Sequence, residues 1–163
     1  MEVRILPLGG MDFPKHRLVR CQDPEEMLFS PAWAVLIRHP TLGNVLYDTG
    51  HSPAFLQGEM QRVLYDYPVR GIVPIQKAHT PGVLGMILKT QHHGTLLTTS
   101  DTLATAESYQ HDLTPGTAAP AVEAAFHANR RRVQALAAEY QATLLFGHDA
   151  AQVQAWAGKG TLD

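Results

Sequence analysis

Apolar residues fall into short β-rich runs bounded by turn residues and one stretch at helical spacing, and the change between them divides the chain into strands and a helix. "VRILPL" (3–8) reads as a strand ended by Gly9-Gly10. In "AWAVLIRHPTLGNVLYDTG" (32–50), two β-rich apolar runs flank the turn cluster "HPTLGN". This predicts a hairpin whose second strand ends at Asp48-Thr49-Gly50. Residues 53–66 predict a short helix with Pro53 at its first position and a stripe of Phe55, Leu56, Met60, Val63 and Leu64, interrupted by Gly58. "VLGMILKTQHHGTLLTTSD" (83–101) predicts a second hairpin, with His92 and His93 exposed on its tip. A linker follows at 112–120. From Ala121 to Tyr140, Val122, Phe126, Val133, Leu136 and Tyr140 recur at helical spacing, with Arg130 to Arg132 mostly on the wet side. A short strand, "ATLLF" (142–146), and a turn, "GHD" (147–149), come next. No internal repeat, heptad or low-complexity tract interrupts this order. The pattern predicts a mixed α/β chain with antiparallel pairs and one sheet face covered by the long helix.

Composition narrows the classes. A chain of 163 residues suits one domain, 1–163, with a real core. A formal charge of −2 argues against nucleic acid or a membrane surface as partner. No apolar run reaches the roughly 18–20 residues that span a bilayer, and "MEVRILPLGGMD" lacks the plan of a signal peptide. The expected location is the cytoplasm. The single cysteine, Cys21, excludes an internal disulfide and any cysteine-based zinc cluster.

Histidine is the unusual residue, with nine in the chain. Three ligand-type residues share a setting: His79 just before a strand, Asp101 just after one, and His148 two residues beyond another. Loops at strand ends are where a sheet holds catalytic and metal-binding groups rigid. Imidazole nitrogen and carboxylate oxygen suit zinc and similar ions. Spacing alone leaves ordinary roles open: His79 as the flank of a turn at Thr80-Pro81-Gly82, Asp101 as a cap or turn residue, and His148 as a surface histidine.

The wording of four segments adds to this. "LIRHPTLGNVLYDTGHSP", "HTPGVLGMIL", "GTLLTTSDT" and "LAAEYQATLLFGHDAAQ" resemble, in order, segments of the metallo-β-lactamase superfamily, closest to its N-acyl homoserine lactonase-like branch. The resemblance covers most of residues 30–157. It implies a truncated αββα sandwich, mostly antiparallel or mixed, with a long helix near the C-terminus. It implies zinc, one or two ions, held by His79, Asp101 and His148. Asp101 matches the metal-bridging aspartate and is the catalytic candidate. Asp48, Thr49, Gly50 and Asp149 match supporting turn positions. The substrate it implies is a lactone or related small ester, opened by metal-activated water.

The chain also departs from that pattern. The family's main metal motif, H-x-H-x-D-H, normally lies between the Asp-Thr-Gly turn and the "GHTPG" turn. Here residues 51–78 separate those turns and hold no such motif, only His51, Glu59 and Asp66. The segment carrying it looks deleted near residues 66–78. Ala104 stands where lactonase-like members place a tyrosine, and Ala78 where they place a glycine. Three ligands fall short of what two zinc ions need, which predicts a weak or lost activity. His51 or Asp149 would be a fourth group for a single ion. A sheet face bared by the missing segment predicts a homo-oligomer. The alternative reading is a non-catalytic binding or remnant protein of the same fold.

Overall fold

The structure is a computed structural model and describes residues 1–48, 69–71, 85–116 and 119–162. The helix expected at 53–66, together with Thr49, Gly50, His51 and His79, lies outside the described residues. The chain divides into two compact units, one of residues 1–13, 29–75 and 150–163, the other of residues 14–28 and 76–149.

The first unit is built on a four-stranded sheet in the order β3-β2-β1-β4, from β1 (Glu2–Pro14), β2 (Met27–His39), β3 (Gly43–Tyr47) and β4 (Val69–Gly71). The period-two pattern is visible in β1, where Val3 and Ile5 are buried and Arg4 between them is exposed. In β2 burial is continuous over Trp33, Ala34 and Val35 and resumes at Ile37. The expected hairpin forms, with Val35 opposite Tyr47 and His39 opposite Gly43. The His39 ring nitrogen Nδ1 accepts from the Thr41 and Leu42 amides, and Gly43 takes φ +74° to complete the turn. In this unit the chain's end returns to its start, as the Leu162 amide donates to the Val3 carbonyl at 2.8 Å.

One boundary differs from expectation. Gly9-Gly10 does not end β1; the strand continues to Pro14 and pairs Gly9 with Gly71. Gly9 adopts φ +96° within the ladder. At Gly10 the Ser30 carbonyl oxygen lies 2.4 Å from where a Cβ would sit. Gly10 therefore serves close strand packing and Gly9 a left-handed backbone conformation, and neither breaks the strand here.

The second unit holds a three-stranded sheet in the order β5-β6-β7, from β5 (Met86–Lys89), β6 (Thr95–Ser100) and β7 (Thr143–Phe146). β5 and β6 form the expected antiparallel hairpin, while β6 and β7 run parallel. A parallel pair needs a long crossover, supplied by α1 (Ala106–Gln110) and α2 (Pro120–Tyr140). Pro120 at the first position of α2 has a preset φ and no amide to leave unpaired. The helix ends at Gln141, left-handed at φ 49°, with the Ala142 amide reaching back to the Ala137 carbonyl. Its Phe126 and Val133 are buried against Leu97, Leu103 and Phe146, with Leu136 packed beside them. Arg131 and Arg132 are exposed as expected, whereas Arg130 is half-buried and donates to the Tyr109 carbonyl at 2.8 Å. A third helix, α3 (Ala150–Ala157), follows β7 and belongs to the first unit. Among the described residues no helix is long and apolar enough to cross a membrane.

Within the second unit, residues 14–28 are held together and tied to its helices by ion pairs. Lys15 Nζ lies 3.0 Å from Glu26 and 3.1 Å from Glu107, and Arg20 pairs with Glu123. Hydrogen bonds to Glu26 and then Glu107 hold the Lys15 ammonium above its ordinary pKa of 10.5.

Two outcomes follow from this packing. Phe126→Ala should lower the unfolding free energy by about 3 kcal/mol, against less than about 0.5 kcal/mol for Arg131→Ala, in urea titrations. For Lys15 the folded pKa lies above the unfolded one. Its stabilisation is therefore complete below the ordinary 10.5 and fades as pH rises through the folded value. The stability difference between the wild type and Lys15→Met should accordingly shrink in the alkaline range above that pH and stay constant below it.

Candidate functional site

Asp101 and His148 are 47 residues apart in sequence, yet Asp101 Oδ1 lies 2.9 Å from His148 Nε2. Parallel pairing brings this about. β6 and β7 lie side by side in one direction, so both end at the same edge of the sheet, with Ser100 opposite Phe146. Asp101 follows β6 directly, and His148 follows β7 after a single glycine. Both side chains are largely covered, at 19% and 25% exposure.

Local sequence shapes this edge. The register shifts between Thr98 and Ser100, leaving Thr99 as the extra residue on β6. Ser100 then turns left-handed at φ 49°, an uncommon conformation for a side chain other than glycine. Gly147 is required opposite it, because the Ser100 carbonyl oxygen lies 2.3 Å from where a Cβ would stand. The buried Thr99 hydroxyl donates to the Leu103 carbonyl at 2.9 Å, with the Leu145 carbonyl at 3.3 Å. The His148 amide donates to the Ala104 carbonyl at 2.7 Å. Thr105 and Ser108 exchange reciprocal side-chain and backbone bonds at the start of α1. One Asp149 oxygen, Oδ2, accepts from the Ala106 amide at 3.1 Å.

An ionised carboxylate only accepts hydrogen bonds, so the contact with Asp101 assigns the proton to His148 Nε2. Asp101 and His148 are the residues here that would hold a zinc ion, and carboxylate oxygen and imidazole nitrogen fit such an ion by donor chemistry. The donor count does not: among the described residues no group of three or more His, Cys, Asp or Glu could hold a metal ion, and zinc sites use three or four ligands.

Of the residues named from sequence, Asp101, His148 and Asp149 come together at this edge. Asp48 lies just past β3 in the first unit, left-handed at φ 64°. His79, Thr49 and Gly50 are outside the described residues. His92 is exposed on the hairpin tip as expected, while His93 is half-buried and its amide donates to Thr90 Oγ1. Sequence reading missed Thr99, Ser100, Ala104 and Ala106, whose parts are played by a hydroxyl and backbone groups. Gly147 was visible only as a turn glycine.

No protein-family model matches the chain, and no curated protein sequence matches it significantly. Solved structures do match. A quorum-quenching N-acyl homoserine lactone lactonase superposes with TM-score 0.69 at 16% identity, over 93% of this chain and 93% of that one. An N-acyl homoserine lactone hydrolase with N-hexanoyl-L-homoserine bound at its catalytic metal centre gives 0.63 at 15% identity, over 94% and 95%. A mutant of AiiA from B. thuringiensis, with N-decanoyl-L-homoserine bound at its active site, gives 0.63 at 14% identity over the same shares. The chain thus has the mixed α/β metallo-β-lactamase fold of these lactonases, with antiparallel and mixed sheets and the long helix towards the C-terminus.

The edge makes one substitution diagnostic. Gly147→Ala should cost about 1–3 kcal/mol by forcing β6 and β7 apart at their ends. A crystal structure of the variant should show the Asp101–His148 contact lengthened.

Proposed function

We propose that the chain is a hydrolase of metallo-β-lactamase lineage, directed at a lactone or related small ester, with activity weakened or lost through a reduced metal centre. The observation that carries this reading is the Asp101–His148 contact at the common edge of β6 and β7, on the fold of N-acyl homoserine lactone lactonases. His79, Asp101 and His148 are the proposed ligands, with Asp101 in the catalytic position. Asp48, Thr49, Gly50 and Asp149 are proposed as supporting residues. A zinc ion there would polarise the acyl carbonyl and supply a nucleophile from water near neutral pH. This chain's own residues would position it: β6 and β7 fix the two side chains at one edge of the sheet.

The second reading is a non-catalytic, oligomeric binding or remnant protein of the same fold. The shortage of donors among the described residues favours it. In either reading the chain is proposed to be cytoplasmic and a homo-oligomer.

Protein purified without chelator, assayed for zinc content and for opening of N-hexanoyl homoserine lactone, separates the two. The hydrolase reading expects bound zinc and slow turnover that His79→Ala, Asp101→Ala and His148→Ala each abolish. Turnover no higher in the wild type than in Asp101→Ala, with only trace zinc, establishes the non-catalytic reading. Two tightly bound zinc ions with rapid turnover would overturn the reduced centre.

A further inference from the structure

We infer that Asp149 is a positioning residue, which sets His148 against Asp101 by anchoring the 147–149 turn to the first amide of α1. The inference rests on the reading of Asp101 and His148 as the site.

The start of a helix leaves its first amides without partners inside the helix. At α1 the Thr105 hydroxyl takes the Ser108 amide, at 3.1 Å. The Ala106 amide, at the first helical position, is taken by Asp149 Oδ2 from the far strand connection, at 3.1 Å. A carboxylate at a helix start is favoured by both the free amide and the helix dipole. The residue before it, His148, is bonded through its own amide to the Ala104 carbonyl at 2.7 Å. Two successive residues of the 147–149 turn are thereby tied to two near-successive backbone groups of the 104–106 segment. His148 has its main chain held on one side and the following side chain clamped on the other, which restricts the arc its ring can sweep. Metal-binding groups left without such outer support typically lose 10–100-fold in affinity.

The bond can be cut from either end. Ala106→Pro removes the donor while keeping the helix start, because proline is tolerated at the first position of a helix. Ala106 also packs against the Leu97–Phe146 core, so the variant's fold is checked alongside. Thr105 before it already sits at φ −139°, ψ 160°, close to the extended conformation that a residue preceding proline requires. Asp149→Ala removes the acceptor, and Asp149→Asn keeps an oxygen in the same place. This pairing matters because Asp149 also directly precedes α3, so truncation there alone would mix two effects.

Two readouts decide it. One is the nitrogen-bound proton of His148 Nε2 in NMR spectra of the full chain without added metal, where the wild type should give a slowly exchanging resonance. The other is zinc affinity by competition with a chelating dye. Asp149→Ala and Ala106→Pro should each abolish the slow resonance and weaken zinc binding about 10–100-fold. The double variant should be no worse than Asp149→Ala alone, and Asp149→Asn should stay close to the wild type. Folded Ala106→Pro and Asp149→Ala proteins with a wild-type His148 resonance would overturn the inference. If the wild type takes up no zinc, the proposed metal centre fails, while the His148 resonance still decides the role of Asp149.

Discussion

Parallel strands lying side by side end at one edge of their sheet, and an antiparallel neighbour ends at the other. In this protein that constraint assembles the site, because β6 and β7 run in the same direction and carry Asp101 and His148 just beyond their ends. A direct turn cannot join two such strands. The 42 residues between Ser100 and Thr143 therefore have to cross the sheet, and they do so as α1 and α2. The core that α2 closes over Leu97 and Phe146 holds the pair of strands in register. Packing of Phe126 and Val133 thus bears indirectly on the distance between two polar side chains that neither residue contacts in sequence or type.

Hydrogen bonds then convert a shared edge into a defined geometry. The extra residue Thr99, left-handed Ser100 and side-chain-free Gly147 bring the two backbones closer than regular strands allow. The Thr99 hydroxyl, the Ala104 carbonyl and the Ala106 amide satisfy groups that would otherwise be costly to bury. Lactonases share this fold at only 14–16% identity, so a fold is compatible with widely different side chains. Fold and function are separable for that reason, and chemistry here depends on how many donors reach the edge.

The legible parts of the fold were those where one residue's type answers to its own neighbours. The β-rich apolar run around Trp33, Val35 and Ile37 marked β2, the His39–Gly43 turn marked the hairpin, and the spacing of Phe126 and Val133 marked α2. Gly9-Gly10 misled because glycine has two uses, ending a strand or admitting a close neighbour, and only Ser30 across the sheet distinguishes them. Arg130 likewise left the solvated face because the Tyr109 carbonyl, on a different helix, accepts from it.

By itself, the sequence determined the strand and helix periods, the turns, and the donor types at positions 101, 148 and 149. Their order within the four motifs also resembled that of the metallo-β-lactamase superfamily. Tertiary structure alone decided that β6 and β7 are parallel neighbours, that Asp101 meets His148 at 2.9 Å, and that Asp149 spends an oxygen on the Ala106 amide. The physical reason is that side-chain pattern records which face of an element is buried, whereas strand direction and backbone partners are set by long-range pairing. An amide is the same group in nearly every residue, so its partner leaves no mark on the chain.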